Sequence, residues 1–187
     1  MPRTRADDRA DKHAAILAAA RARLQSGGYE GLSLAAIARE LGVAQNTVYW
    51  YFPSKDHLFV AALESLLDDA LGEVAPATAQ PVRRILWFTE HLAPLWPLFR
   101  PLYDSDGRSE VVEGLLARVD EVVTERLTAE FRELVSPREL AATVAVFRST
   151  VDGVYARGLE PSARRLVLRY AAARLTRDPG RPGDRSG

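Results

Sequence analysis

Gln45, Asn46, Thr47, Tyr49, Trp50, Tyr51 and Lys55 lie close together, and their types point to one chemistry. The primary amides of Gln45 and Asn46 can each donate and accept one hydrogen bond in parallel, which suits the N6/N7 edge of adenine. Thr47 offers a methyl group for a thymine methyl, or a hydroxyl for a phosphate. Lys55 is a compact positive charge within reach of a phosphate. Three consecutive large aromatics are too many for a short solvated helix without a partner. The pattern fits a surface that reads base edges in the major groove and grips the backbone beside them.

Other chemistries are poorly provided for. The chain has no cysteine, so it has no thiol nucleophile, disulfide or thiolate metal site. His13, His57 and His91 fall in three separate predicted helices and lack metal-ligand spacing. GGYEG (27–31) lacks the GK[ST] ending of a phosphate loop. Asp68-Asp69 and Asp120-Glu121 read as solvated helix surface. An enzyme is therefore not expected, and no cofactor or metal is implied.

The elements that must position these residues are legible in the spacing. Leu34, Ile37, Ala38 and Leu41 follow the i, i+3, i+4, i+7 pattern of one helical stripe. Ser33 stands where an N-cap belongs, and Gly42 where a left-handed residue ends a helix. Val43 is an apolar plug. A second helix is predicted from about Gln45, buried through Val48 and Phe52 and stopped by Pro53. Ser54 caps the next helix, whose stripe is Leu58, Ala62, Leu66 and Ala70. Ahead of the pair, a helix from about Arg9 to Ser26 turns Ile16, Ala20 and Leu24 inward and ends at Gly27-Gly28.

With these residues in place, GVAQNTVYWYFPSKDHL resembles the helix-turn-helix signature of the TetR (tetracycline-repressor-like) family: a Gly-Val turn, Thr, an apolar residue, Tyr, then Tyr51, Phe and the Lys that opens the next helix. The resemblance covers about the first third of the chain. It departs at Ala44, where the family often has Ser. It implies that Tyr49 and Tyr51 donate to phosphates and that Ser33 touches one, although Ser33 can equally be a simple cap. Trp50 either packs along the sugar-phosphate backbone or anchors on the first helix. The DNA-binding set is then Ser33, Gln45, Asn46, Thr47, Tyr49, Trp50, Tyr51 and Lys55.

The expected fold is all-α: a three-helix helix-turn-helix domain at residues 1–53, a helical ligand-binding and dimerisation domain at 54–177, and a disordered tail at 178–187. Residues 1–8 read as an arm, either solvated or reaching a minor groove with Arg3 and Arg5. After the loop bounded by Gly72, Pro76 and Pro81, residues 82–103 are aromatic and broken by prolines. A helix is predicted from about Glu110 to Val135. Ser136, Pro137 and Glu139 look like a capping-box start for a helix to Arg157, and Pro161 starts the last one. The resemblance implies that these last two helices pair with their copies in a four-helix bundle, through small residues such as Ala141, Ala145, Ser149 and Ala173.

The resemblance also implies that the larger domain binds a small molecule that releases DNA. Trp87, Phe88, His91, Trp96, Phe99, Tyr103, Phe131, Phe147 and Tyr155 are the aromatic stock for an apolar or aromatic ligand, though each could instead be core. The expected partners are double-stranded DNA with a palindromic operator, a second copy of the chain and a small-molecule effector. Repression follows from the resemblance. The alternative is a helical protein-interaction module that has lost DNA binding.

The net charge of zero hides an asymmetry. Residues 1–55 carry eight basic and five acidic side chains, and the remainder carries the reverse excess of three. DNA affinity should thus come from a few placed contacts rather than a broad basic surface. No apolar run is long enough for a membrane span, and the charged N-terminus lacks a signal-peptide core, so a cytoplasmic protein is expected.

Overall fold

The computed structural model describes residues 5–73, 75, 79–103 and 109–176, with the side chains of residues 5, 6, 100, 101 and 103 outside the description. Among the described residues every regular element is a helix: α1 (Arg5–Gly31), α2 (Leu34–Glu40), α3 (Gln45–Tyr51), α4 (Lys55–Gly72), α5 (Pro81–His91), a 3₁₀ turn (Ala93–Leu95), α6 (Trp96–Tyr103), α7 (Glu110–Phe131), α8 (Leu140–Ala156) and α9 (Pro161–Leu175). The all-α expectation holds. Arg3 and the tail from residue 178 lie outside the described residues, as does the side chain of Arg5.

The described chain divides into two compact units. One contains α1 to α4, α6 and α7 up to Arg118; the other contains α5, α7 from Val119, α8 and α9.

In the first unit α1 lies along α4, and α2 packs on α3. The core comprises Ile16, Ala20, Leu24, Ile37, Val48, Leu58, Phe59, Ala62 and Leu63, each at most 1% exposed. Burying a side chain the size of Phe59 stabilises by about 1.5–3 kcal/mol. α1 is broken at Gly28, whose φ of 61° is the left-handed region that glycine enters without steric cost. The kink falls at the glycine pair that the sequence marks as a stop. Around the core run charged ties. Arg21 reaches Ser65 Oγ at 2.9 Å and pairs with Asp69. Arg23 reaches Glu40 at 2.9 Å, and Arg118 pairs with Glu64.

In the second unit α9 packs on α5 and α8. Phe131 and Phe147 meet edge to face at 5.3 Å in its centre, both fully buried. Arg84 holds Glu130 at 2.6 Å and Glu133 at 3.1 Å.

The start of α8 differs from the sequence expectation. Ser136 Oγ donates to the Glu139 carboxylate at 2.7 Å, so the two box residues meet each other instead of capping backbone N–H groups. The Glu139 and Leu140 N–H groups both donate to the Ser136 carbonyl, making a preliminary turn, and regular helix begins only at Leu140. The break near the prolines also falls early, at the 3₁₀ turn, and the chain is helical again through Pro97 and Pro101.

Candidate nucleic-acid interface

α3 is a seven-residue helix with its faces sharply divided. At about 100° per residue, Gln45, Asn46, Tyr49 and Trp50 fall in one arc of about 140°, with Val48 about 130° from its centre, and Phe52 follows as the extended C-cap. Burial separates the two sides. Val48 is 0% and Phe52 4% exposed, while Tyr49 is 43% and Trp50 59% exposed. Gln45 and Asn46 are exposed, and Thr47 and Tyr51 are half-buried. Two amides and two large aromatics thus share an outward face on a helix anchored from behind.

The turn before α3 is built by Gly42 at φ 65°, with the Val43 N–H donating to the Ala38 carbonyl at 3.0 Å. Ala44 is the N-cap of α3 and gives it no side-chain hydrogen bond. The caps on either side are made. Ser33 Oγ accepts from the Ala36 N–H and Ser54 Oγ from the His57 N–H, both at 3.3 Å. Ser33 is exposed, so the same hydroxyl faces solvent while capping α2.

Lys55 opens α4 with its ammonium 4.2 Å over the ring of Tyr29 and 3.9 Å from the Glu30 carboxylate. Glu30 is almost fully exposed, so this long surface pair is weak and easily exchanged for a phosphate. The Tyr29 hydroxyl donates to Asp56 Oδ1 at 2.5 Å, and its ring meets Phe59 edge-on at 5.2 Å. Burial first, and then the bond to Asp56, push the phenol up to about 12. The end of α1 is thereby fastened to the start of α4.

Two participants have no place in the sequence-based site, Arg9 and His13 on α1. The Arg9 guanidinium stacks over Trp50, 4.1 Å from the ring centroid. The Tyr51 hydroxyl donates to the Arg9 carbonyl oxygen at 3.2 Å. Its proton is spent on α1 here, whereas Tyr49 presents its phenol outward. His13 stacks on Phe52 at 5.1 Å and leans on Tyr51. The available signal was the helical spacing of Arg9, Lys12 and His13, which puts three nitrogen donors on one face of α1.

The aromatic candidates for a ligand site are divided between the units. Trp96 and Phe99 belong to the first, and the side chain of Tyr103 lies outside the described residues. Trp87, Phe88, His91, Phe131, Phe147 and Tyr155 belong to the second. There Trp87 and His91 stack at 4.4 Å, half-buried, and Phe88 is buried. The Tyr155 hydroxyl donates to the Thr89 carbonyl at 2.9 Å under the Arg164 guanidinium, and burial raises its phenol above the usual range.

A family model described as bacterial regulatory proteins of the tetR family matches residues 16–62, which hold most of α1, all of α2 and α3, and the start of α4. The HTH-type transcriptional repressor KstR of Mycobacterium tuberculosis is 42% identical over 73 residues, covering 37% of this chain and 33% of that protein. The chain thus matches about a third of the length of such curated relatives. Over the whole fold, a transcriptional regulator from Rhodococcus sp. Rha1 superposes with a TM-score of 0.72 at 20% identity, covering 87% of this chain and 95% of that one. BioQ, solved with its double-stranded DNA operator, superposes with a TM-score of 0.63 at 22% identity, covering 88% and 97%. Local sequence match and helix order agree: the helix-turn-helix segment of the chain is similar to that of the tetR family of bacterial regulatory proteins, and its fold to those of solved transcriptional regulators.

Proposed function

We propose that the chain is a sequence-specific DNA-binding regulator of transcription, a homodimeric repressor released from its operator by a small apolar or aromatic molecule. The observation that carries the DNA reading is the face of α3: Gln45, Asn46, Tyr49 and Trp50 turned to solvent from a helix fixed by Val48 and Phe52. Gln45 and Asn46 read bases. Thr47, Tyr49 and Lys55 hold the backbone, with Ser33 beside them and Tyr51 as both tie and contact. The repressor named KstR and the operator complex of BioQ support this assignment over an interaction module without DNA.

Dimerisation is supported by α8 and α9. Val146, Leu166, Val167 and Tyr170 are exposed apolar side chains, 52%, 58%, 37% and 61% respectively. Ala141, Ala145, Ser149 and Ala173 are exposed beside them, small enough for close helix approach. Residues 1–53 then form the reading head and 54–177 the sensing and pairing part, with Trp87, Phe88, His91, Phe131, Phe147 and Tyr155 as the effector's surroundings in the second unit, and Trp96, Phe99 and Tyr103 as further candidates. No described helix is long and apolar enough to cross a membrane, in keeping with a site of action on cytoplasmic DNA.

Selection of bound duplexes from a random pool tests this reading. Two inverted half-sites centred about 34–36 Å apart are expected from a two-fold dimer. Enrichment of a single non-palindromic site would remove the dimer, and no enrichment would remove sequence-specific reading.

A further inference from the structure

α1 and α3 together make a cleft of about 550 Å³ lined by Arg9, Ala10, His13, Trp50 and Tyr51. Resting on the DNA-binding reading above, we propose that this cleft seats one sugar-phosphate unit of the DNA backbone, with the phosphate on the Arg9 guanidinium and the deoxyribose against the Trp50 indole.

Position comes first. Trp50 follows Asn46 by four residues, so it lies on the same face of α3 about 6 Å further along the axis. With Asn46 at a base edge, Trp50 stands at the wall of the groove, where the backbone runs. Its indole is 59% exposed, with Arg9 on one side and the Tyr51 ring edge-on at 4.7 Å. The exposed indole is a large apolar surface facing the partner rather than the protein core.

Charge comes second. Around α1, Lys12 and His13 lie within about 60° of Arg9, whereas Asp7, Asp8 and Asp11 lie about 100–160° away. The acids of this turn therefore face away from Arg9, which lines the cleft together with the nitrogen donor of His13. Arg9 is exposed with its guanidinium lying over the indole, and its fork of N–H donors suits a phosphate. Tyr51 fixes the backbone of the same residue through the Arg9 carbonyl, so α1 and the recognition helix are registered to each other at this point. Arg9 is a backbone contact, and Trp50 is its positioning residue as well as the apolar wall.

The test uses the full-length protein and a random-sequence duplex, with binding followed by fluorescence anisotropy from about 50 to 200 mM salt. Arg9→Gln, Trp50→Ala, the double variant and Lys55→Ala are compared with wild type, and circular dichroism confirms their helix content. The slope of log K against log salt in Arg9→Gln should be shallower by about 0.9 per bound headpiece. Trp50→Ala should move it the same way, the double variant should be weaker by less than the product of the singles, and Arg9→Lys should restore the slope. Wild-type affinity and slope in Arg9→Gln would overturn the proposal; a shallower slope for Lys55→Ala in the same experiment would leave the DNA reading standing. Independent, multiplicative losses would overturn the pairing of Arg9 with Trp50. Wild type that shows no salt-dependent binding would overturn the DNA reading itself, and the cleft with it.

Discussion

At the scale of single residues, the two kinds of DNA contact should separate cleanly. Lys55→Ala removes a charge and leaves every base edge untouched, so affinity for all sequences should fall and the salt slope flatten by about 0.9 per contact. Gln45→Ala should instead relax the preference at one base pair, by about 1–3 kcal/mol of discrimination, which repeated selection from a random pool would read out. Tyr29 carries a different prediction. Its phenol titrates near 12 in the fold and near 10 in the unfolded chain, so the folded state favours the protonated form. The stability this supplies is complete below about pH 10 and is lost as pH rises through about 12. The thermal midpoint of wild type should therefore fall more steeply across that window than that of Tyr29→Phe. Gln45, Asn46 and Lys55 were legible beforehand as candidates, because their types declare the chemistry they offer. The contact of Arg9 with Trp50 was not, because the two residues lie more than forty positions apart in the chain.

At the scale of elements, periodicity carried most of the information and side-chain geometry the rest. The stripes of α1, α2 and α4 were readable because Ile16, Leu24, Ile37 and Leu58 recur at helical spacing and are all buried. The start of α8 was misread because a capping box is a statement about hydroxyl direction. Ser136 turns its hydroxyl to the Glu139 carboxylate, and no spacing rule reports that choice. α3 shows the converse, since the missing hydroxyl at Ala44 was visible in the sequence and the helix indeed lacks a side-chain cap. Ala44 has extended backbone suited to a cap, with φ −64° and ψ 142°. Ala44→Ser should stabilise by about 1 kcal/mol, or about 2–4 °C in a thermal melt of a chain this size. In the second unit, Phe131→Ala would open a void against Phe147 and should cost about 3–5 kcal/mol in denaturant unfolding.

At the scale of the whole molecule, the proposed pairing surface is the exposed apolar stretch on α8 and α9, and on that proposal it sets whether one reading head acts or two. Leu166→Asp places a charge where the proposed partner helix would lie. Sedimentation should then shift from dimer to monomer, and operator affinity should drop far more than unfolding stability, because Leu166 is exposed within the chain. The sequence offered a row of small residues for that proposed surface, and the exposure of the large ones around it, Tyr170 above all, became visible only once α9 had a defined outer face. One small tie has a longer reach. The Tyr51 hydroxyl bonds to the carbonyl of residue 9 and not to its side chain. Any amino acid at position 9 presents the same carbonyl, so the bearing of the reading helix survives replacement of Arg9. If Arg9 grips the backbone as proposed, replacing it would change the strength of the grip while the angle of reading, set through that carbonyl, stays as it is.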